Sequence, residues 1–173
     1  MRPVAFFAHC PRCGSAAAHT PVPGPFRCAA CGFVLFFNAA SAAAALLLRD
    51  DGRALFIRRA RDPAKGMLGM PGGFVDDGET AEGALAREVR EEVGLDPGEL
   101  AYLSSHPNLY EYQSVTYATL DLFFTGRVDR PELATALDAV ERIEWIDPLA
   151  VDLDDIAFDS MRAALRVYRA RRR

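Results

Sequence analysis

Long apolar runs are missing from this sequence, and so is an excess of positive charge. No run approaches the ~20 apolar residues that a membrane-spanning helix needs, so we expect no membrane partner. The first residues, MRPVAFFAHC, lack the long apolar segment of a secretory signal, which leads us to expect a cytoplasmic protein. The net charge of −4 argues against general binding of nucleic acids.

The composition itself is that of an ordinary globular protein. The chain has 173 residues, half of them hydrophobic and a quarter charged, which is enough for one core and a small additional module. The first 37 residues differ from the rest, because they contain all four cysteines and five prolines. We therefore predict two domains, residues 1–37 and residues 38–173.

The four cysteines have the spacing C-x2-C-x14-C-x2-C: Cys10, Cys13, Cys28 and Cys31. A tetrahedral zinc ion takes four thiolates at about 2.3 Å, and two tight turns that each carry C-x2-C can supply them. Two disulfides are the alternative, which a reducing compartment disfavours. A redox pair needs only one C-x2-C. The sequence thus predicts a closed, structural Zn²⁺ site in a zinc ribbon.

The function of this ribbon is less defined by the sequence. Zinc ribbons often bind nucleic acid, but its basic candidates are few, namely Arg12, His19 and Arg27. We therefore expect a scaffold or a dimer element, with a homodimer as one possible assembly. The basic end of the chain, Arg169–Arg173, is interpreted as a solvated helix terminus, with a contact to RNA or to another anion as the alternative.

Beyond residue 38, hydrophobic patterns predict several strands and two main helices. The predicted strands are at residues 41–48, 54–59, 117–124 and 143–146. Asp51-Gly52 predicts a two-residue hairpin turn between the first two, and Asp62–Gly69 predicts a loop. In the third strand one face is expected to hold four apolar residues: Ala118, Leu120, Leu122 and Phe124.

The first predicted helix spans about residues 81–93, with Thr80 as its N-cap and Gly94 as a left-handed C-cap. The second begins near Asp159 and has one apolar stripe. That stripe is formed by Met161, Ala164, Leu165 and Tyr168. Strands mixed with two helices predict an α+β fold or a mixed α/β sandwich.

Three glutamates lie within a turn of one another on the first predicted helix: Glu88, Glu91 and Glu92. Like charges at i and i+4 cost roughly 0.2–0.5 kcal/mol per pair. A solvated acidic face is one interpretation. The other is a metal site, because Gly72 and Gly73 precede the helix and let backbone approach a ligand closely. Clustered carboxylate oxygens suit Mg²⁺ bridged to phosphate.

The segment from Gly73 to Leu95 matches G-x5-E-x7-R-E-U-x-E-E-x-G-U, where U is aliphatic, at every fixed position. It resembles the signature of the Nudix hydrolases, and the resemblance extends over roughly residues 40–168. The resemblance implies an α/β/α sandwich with a mixed sheet. It also implies that Glu88 and Glu92 bind Mg²⁺ or Mn²⁺, with Glu91 as a further ligand or as the base.

Other residues receive roles from the same resemblance. A carbonyl of Gly72 or Gly73 is implied as a further metal ligand, Arg87 as the residue that orients the glutamates, and Glu79 as a supporting acid. The implied reaction is hydrolysis of a nucleoside diphosphate linked to another group. The cofactors would be Mg²⁺ or Mn²⁺ together with structural Zn²⁺, and the partner a nucleotide.

A zinc ribbon before such a domain resembles the NADH pyrophosphatase group, which carries S-Q-P-W-P-F-P-x-S after the signature. Here SSHPNLYEYQS occupies that place: Ser105 and Pro107 remain, but W-P-F is replaced by residues 108–110. The motif is therefore degenerate and does not establish NADH specificity, so we expect a substrate like ADP-ribose or NAD(H). Tyr110 and Tyr112 are candidates to stack on a base, or are ordinary core or surface aromatics. His106 is a structural hydrogen-bonder or a catalytic residue.

Two further acids, Glu141 and Glu144, precede Trp145, near which many family members place a catalytic acid, but their offset is shifted. Three alternative functions stay open. These are a nucleotide-sensing regulator without turnover, a hydrolase that removes unwanted nucleoside triphosphates, and an RNA-binding or decapping protein.

Overall fold

The computed structural model describes residues 1–17 and 24–172. The predicted basic candidate His19 and the last residue, Arg173, lie outside the described residues. The chain divides into two compact units. Unit 1 comprises Met1–Ala39 and Leu109–Ala118, and unit 2 comprises Ala40–Asn108 and Thr119–Arg173. The predicted domain boundary at residue 37 stays a prediction.

Nine strands and two α-helices make up most of the regular structure within the described residues. The strands are β1 Phe26–Arg27, β2 Val34–Leu35, β3 Ala40–Leu48, β4 Ala54–Arg59, β5 Leu68–Gly69, β6 Gly72–Phe74, β7 Leu100–Tyr112, β8 Val115–Arg127 and β9 Val140–Ile146. The helices are α1 Ala81–Val93 and α2 Asp159–Arg171. Neither described helix has both the length and the apolar character needed to cross a lipid bilayer.

Seven strands form one mixed sheet, in the order β5-β4-β3-β8-β7, with β6 also paired to β3 and β9 to β4. β3 runs parallel to β8, from Ala40 opposite Thr119 to Leu48 opposite Arg127. It runs antiparallel to β4 and β6. The prediction of an α+β fold with a mixed sheet is confirmed.

The strand β3 is buried on both faces, which explains its continuous apolar sequence. Its odd-numbered residues from Ala43 to Leu47 join a core that includes Leu85, Val89 and Val93 of α1. Its even-numbered residues from Ala44 to Leu48 join a second core, under α2. Alanine-rich β3 is therefore a strand, as predicted, although its residues favour helix by propensity.

Both ends of α1 are set by the predicted residues. The Thr80 hydroxyl accepts a hydrogen bond from the Gly83 N–H at 3.1 Å, which satisfies one free amide of the first turn. Gly94 ends the helix in the left-handed region, with φ of 68°, and its N–H donates to the Arg90 carbonyl. The predicted apolar stripe of α2 is likewise buried in the core.

A carboxylate that the sequence patterns did not reveal joins β8 to the start of α2. Asp121 is buried, and its two oxygens accept hydrogen bonds from the hydroxyls of Thr119 at 2.7 Å and Ser160 at 2.6 Å. A single acid inside an apolar strand was the available signal. These bonds satisfy a carboxyl group that burial alone would destabilise.

Two local predictions are wrong. The turn between β3 and β4 has three residues, 50–52, rather than two: the Arg49 N–H donates to the Arg53 carbonyl, and Gly52 adopts a φ of 84°, which is typical of a turn closed by a bulge. The predicted loop ends at Met67, since β5 begins with Leu68. The four apolar residues predicted for one face of the third strand do alternate along β8, where Leu122 and Phe124 pack in the core and Leu120 is 42% exposed.

Unit 1 is built around two similar cysteine turns and a small aromatic core. Phe7, Phe26 and Phe37 pack together, with ring centroids 5.5–5.7 Å apart in the two pairs that include Phe7. The tip of the β7–β8 hairpin belongs to this unit. The Met1 ammonium donates to the Ser114 carbonyl at 2.9 Å, and Thr116 N–H donates to the Met1 carbonyl at 2.7 Å.

Candidate metal and catalytic site

The double glycine before α1 leaves no room for side chains. A Cβ on Gly72 would lie 2.1 Å from the Ala43 carbonyl oxygen and 2.6 Å from the Ala44 Cα, and its φ of 142° is one that glycine alone adopts readily. These contacts arise because β6 pairs directly with β3. The Gly72 N–H then donates to Oε2 of Glu92 at 2.9 Å.

Gly73 is required by a different neighbour. A Cβ at this position would lie 2.4 Å from Cδ of Glu88 and 2.5 Å from its Oε1. The Glu88 carboxyl group therefore occupies the space that a side chain at residue 73 would fill. The two glycines bring the loop backbone into contact with the carboxyl groups of Glu88 and Glu92.

Arg87 is the common hydrogen-bond donor of this site. Its Nε and Nη2 each lie 2.9 Å from one oxygen of Glu79, which is a bidentate pair. Its Nη1 donates to Glu88 at 2.8 Å and to Glu91 at 3.3 Å, while Nη2 also donates to the Phe74 carbonyl. One guanidinium thus fixes three carboxyl groups and the loop backbone.

The electrostatics divide these acids into two kinds. The hydrogen bonds from Arg87 lower the pKa of Glu79 to about 2, so that this carboxylate stays charged. Burial raises the pKa of Glu92 to about 8, against the hydrogen bond from Gly72. Burial also raises the pKa of Glu88, against the opposing effect of Arg87. Glu88 and Glu92 therefore gain from a further cation nearby.

The three glutamates differ in how freely they reach solvent. Glu91 is the most exposed, with 54% of its side chain accessible, compared with 19% for Glu88. Across residues 1–17 and 24–172, the cysteine cluster is the one group of three or more ligand residues whose ligand atoms all lie within 4.8 Å of one another. The glutamates are instead held in place by Arg87 and Gly72. Their roles as metal ligands or base stay predictions.

The four cysteine sulfurs do converge. Sγ of Cys10 lies 3.8 Å from Sγ of Cys31, and Sγ of Cys13 lies 3.7 Å from Sγ of Cys28. Disulfide sulfurs are about 2.05 Å apart, so these cysteines are free thiols. A tetrahedron with metal–sulfur bonds of about 2.3 Å has edges of about 3.8 Å, which the two distances match.

Both cysteine turns have the same backbone geometry. Gly14 N–H donates to the Cys10 carbonyl at 2.9 Å, and Gly32 N–H donates to the Cys28 carbonyl at 3.0 Å. Both glycines have a φ of 72°. Hydrogen bonding by Ser15 also lowers the pKa of the Cys13 thiol to about 6, which favours the thiolate that a metal binds.

The remaining candidates lie on strands. His106 is on β7, where its Nε2 lies 3.2 Å from the Ser104 hydroxyl, a contact of the structural kind. Glu144 on β9 accepts from Arg58 Nε at 2.6 Å, and this hydrogen bond lowers the pKa of Glu144. Glu141 forms an ion pair with Arg142 at 2.9 Å.

The two candidate tyrosines, Tyr110 and Tyr112, lie at the end of β7 that belongs to unit 1. Tyr112 is exposed and Tyr110 is half-buried. The segment that resembles a specificity motif is therefore strand and hairpin rather than a free loop. A role for either ring in stacking on a base stays a prediction.

Two curated relatives resemble this chain. An ADP-ribose pyrophosphatase of Methanocaldococcus jannaschii is 47% identical over 51 residues, 30% of each chain. A NAD-capped RNA hydrolase, NudC, of Vibrio atlanticus is 27% identical over 148 residues, 86% of this chain and 51% of that protein. The chain thus matches less than two thirds of the length of either relative.

The fold has counterparts among solved structures. A NUDIX hydrolase from Nitrosomonas europaea superposes with a TM-score of 0.71, at 18% identity, over 95% of this chain and 91% of that chain. The family model for the NUDIX domain matches residues 38–166, which include the glycine loop, α1 and all the glutamates of the site. This chain therefore belongs to the Nudix family.

Proposed function

We propose that this chain hydrolyses the pyrophosphate bond of a nucleoside diphosphate linked to another group, such as ADP-ribose or an NAD(H)-like dinucleotide, with the help of Mg²⁺ or Mn²⁺. The observation that carries the proposal is the contact between the Gly72–Gly73 backbone and the carboxyl groups of Glu88 and Glu92. This contact supports the proposal because it gathers carboxylate oxygens, the kind of ligand that Mg²⁺ prefers, next to the loop backbone.

The residues fit a divalent cation. Mg²⁺ is usually held by one or two carboxylates, with water and substrate phosphate completing its octahedral shell, so a closed protein cage is not required. Glu88 and Glu92 would supply the carboxylates, with Glu91 as a further ligand or as the base and a carbonyl of Gly72 or Gly73 alongside. When bound, the cation neutralises phosphate charge and lowers the pKa of water.

The protein groups orient the reaction and accept the proton. Attack of water on one phosphorus forms a new P–O bond, and the bridging P–O bond breaks with its electrons passing to the leaving phosphate. A carboxylate of the cluster takes the water proton. Arg87 positions Glu88 and Glu91, and Glu79 fixes Arg87 through the bidentate pair.

Three observations support a substrate with groups on both sides of the pyrophosphate. The relatives are named for ADP-ribose and for NAD-capped RNA, both of which contain such a linkage. The Vibrio match covers 148 residues, which exceeds the 136 residues of 38–173, so it includes part of the cysteine-bearing segment. Ser105 and Pro107 also persist at the position of the specificity motif.

The cysteine cluster supports a second part of the proposal. We infer that Cys10, Cys13, Cys28 and Cys31 hold one structural Zn²⁺ per chain, because their sulfurs already have the spacing of a tetrahedral tetrathiolate site. Four thiolates leave no open coordination position. The zinc would thus stabilise unit 1 and take no part in hydrolysis.

The test is a hydrolysis screen of the purified protein with Mg²⁺. ADP-ribose, NADH, a sugar nucleotide, a dinucleoside polyphosphate and ATP are compared by kcat/KM. We expect ADP-ribose or NADH to exceed ATP by at least about tenfold, which corresponds to about 1.4 kcal/mol. A preference for ATP of that size would replace the proposal with triphosphate hydrolysis, and nucleotide binding without turnover would replace it with sensing.

A further inference from the structure

The last turn of α1 carries two of the three candidate metal ligands, Glu91 and Glu92. The last four carbonyl groups of an α-helix have no N–H partner inside the helix, and helix ends fray for this reason. Because α1 ends at Val93, these carbonyl groups belong to residues 90–93. The two glutamates therefore stand where a helix is normally least firmly held.

A segment distant in sequence bonds to three of these carbonyl groups. We call residues 134–139 the capping segment. Its backbone N–H groups donate in three pairs, which are Thr135 with Val93 at 3.1 Å, Leu137 with Glu92 at 2.9 Å and Asp138 with Glu91 at 3.3 Å. The fourth carbonyl, on Arg90, accepts from the Gly94 N–H. Each carbonyl that the helix leaves open thus has a backbone donor.

The capping segment is itself held by the sheet. At its start Ala134 packs against the core under α1, and directly after it Val140 is buried in the same core as the first residue of β9. Ala139 adopts a φ of 54°, and its carbonyl accepts from the Ala60 N–H at 2.9 Å. A residue with a side chain keeps such a left-handed conformation where its surroundings enforce it. Both ends of the segment are therefore fixed.

The backbone, and not the side chains, makes the main contact with the helix. Leu137 is 47% exposed. Asp138 pairs with Arg61 at 2.8 Å, but both of these side chains are 67% exposed, and a pair of this kind contributes little to stability. Hydrophobic and charge patterns do not reveal such a segment, because its contribution comes from amide groups that every residue except proline has.

The carboxyl groups of the two glutamates depend on this backbone. The Glu92 carboxyl group accepts a hydrogen bond from the Gly72 N–H at 2.9 Å, and the exposed Glu91 carboxyl group accepts one from Arg87 at 3.3 Å. Mg²⁺ requires its oxygen ligands in nearly ideal octahedral geometry. A loosened last turn would move these oxygens apart and weaken the binding of the cation.

We propose that the capping segment is a positioning element of the candidate active site. Its three amide groups fix the backbone of Glu91, Glu92 and Val93, and in this way they hold the carboxyl groups of the two glutamates in the arrangement that binds Mg²⁺. The inference rests on the proposed function, since the roles of Glu91 and Glu92 are proposed there. The Leu137 N–H is the central donor, because it makes the shortest of the three bonds to the residue between the other two.

A purely structural role is the alternative to positioning. In that case the loss of one amide bond lowers the stability of the protein as much as the loss of an equal bond elsewhere, and Mg²⁺ binding does not change. The two roles are therefore separated by measuring stability and Mg²⁺ affinity on the same variants.

The experiment removes one N–H donor without changing a side chain. Leu137 is replaced by its α-hydroxy analogue, which puts an ester oxygen in the place of the N–H. The matched control is the same replacement at Leu149, which is 51% exposed and whose N–H donates to Asp147 at 2.9 Å. Both variants lose one hydrogen bond of the same length at an exposed leucine, so their melting temperatures should fall by similar amounts.

The effects on the site should be confined to the Leu137 variant. Amide hydrogen exchange at residues 91–93 should become about 3- to 10-fold faster, which is the factor expected for one lost hydrogen bond. The Mg²⁺ affinity, measured by calorimetry with the metal alone, should weaken at least about threefold for the same reason. With ADP-ribose, kcat should fall at least about threefold while KM stays within about twofold, because the groups that bind the substrate are unchanged.

A second pair of variants changes the conformation of the capping segment. Ala139→Val puts a β-branched side chain at a φ of 54°, where such residues are rarely tolerated, so the segment should shift and the same changes at the site should follow. Ala64→Val is the control, because Ala64 has a φ of 60° in the loop before β5, outside the capping segment. It should lose similar stability and keep its Mg²⁺ affinity within about twofold.

The outcomes distinguish this inference from the proposed function. Unchanged Mg²⁺ affinity in the Leu137 variant overturns the inference, and so does an equal loss of affinity in the Leu149 variant. Wild-type protein that binds Mg²⁺ but does not hydrolyse ADP-ribose or NADH contradicts the proposed function alone, since exchange and calorimetry still test the capping segment. Wild-type protein that does not bind Mg²⁺ overturns both.

Discussion

The cysteine cluster and the glutamate cluster contain similar numbers of candidate metal ligands, but the protein organises them differently. The cysteine sulfurs converge on one point, at distances set by two backbone turns of the same geometry. The glutamates are instead bound to protein donors, since Glu88 and Glu91 accept hydrogen bonds from Arg87 and Glu92 accepts one from the Gly72 amide. A structural metal needs the first arrangement, in which all ligands come from the protein. A catalytic cation that also binds substrate suits the second.

Replacing Glu92 by Gln should have the largest effect. We expect kcat to fall at least about 100-fold, because the charge of a proposed metal ligand is lost while the shape of the side chain remains. The matched control is Glu82→Gln, an exposed glutamate on the same helix, which should stay within about twofold. Phosphate release and thermal melting are measured together. Near-normal turnover by the Glu92→Gln variant would contradict a catalytic role for Glu92.

Adding one methyl group at Gly73 tests the contact between loop and carboxyl group. In Gly73→Ala the new Cβ would start 2.4 Å from Glu88 Cδ, so the carboxyl group must move. We expect kcat to fall about 10- to 100-fold, since displacements of about 1 Å have effects of this size. Gly69→Ala is the control, because its Cβ makes an ordinary contact of 3.5 Å with Ile57. Equal activity of both variants would contradict the structural reading of Gly73.

The raised pKa of Glu92 predicts a pH dependence of magnesium binding. Below pH about 8 this carboxyl group is protonated in the metal-free protein, so Mg²⁺ must displace a proton to bind there. The apparent affinity should therefore weaken up to about tenfold for each pH unit below 8 and level off above it. Calorimetry in buffers of different ionisation enthalpy counts the released protons. The Glu92→Gln variant should release fewer protons when Mg²⁺ binds. If it releases as many as the wild type, the proton comes from another group.

Removing a cysteine should destabilise unit 1 strongly but slow hydrolysis only slightly. Cys28→Ser should release the zinc, which we expect at one per wild-type chain, because four-thiolate sites couple metal binding to folding. Activity should fall less than about tenfold, since the glutamates belong to unit 2. Zinc content and hydrolysis rate are measured for Cys28→Ser and for the control Ala30→Ser, which changes an exposed neighbouring residue. Wild-type protein free of zinc, with its thiols oxidised to disulfides, would refute the zinc assignment.

The smallest effect is expected from the two tyrosines near the hairpin tip. If Tyr110 and Tyr112 stack on the substrate base, replacing both by Ala should raise KM about 3- to 10-fold and change kcat less, since stacking stabilises bound substrate and transition state alike. Tyr102→Ala, an exposed tyrosine on the same strand, is the control. An unchanged KM would show that the two tyrosines do not contact the substrate.

The best-predicted elements were those whose local signals agree with their burial. Thr80 and Gly94 mark the ends of α1 because each satisfies a backbone group at the terminus where it stands. The Asp-Gly turn after residue 50 correctly predicted that β3 is a strand, although the alanines of β3 favour helix. The cysteine spacing indicated a four-sulfur cluster because the ligands are local in sequence, and the sulfur distances confirm that cluster.

The longest unpredicted element is β7, a strand of 13 residues. Its alternation shifts phase, since Leu103 and Ser104 are consecutive and both at least half-buried, while Ser105 is exposed again. Pro107 lies within it as well, and proline usually argues against a strand. The exposure of Leu120 could not be predicted either, because it depends on which strands and helices cover β8 and not on the sequence of β8.

The two-sided burial of β3 has a consequence for how this protein tolerates change. Ala43 and Ala45 face the core under α1, which carries the glutamates, whereas Ala44 and Leu46 face the core under α2. A larger side chain at an odd position presses toward the helix of the candidate catalytic site, and one at an even position presses away from it. The strand therefore separates the two cores. A larger side chain at an odd position should lower activity more than one at an even position, which should mainly lower stability.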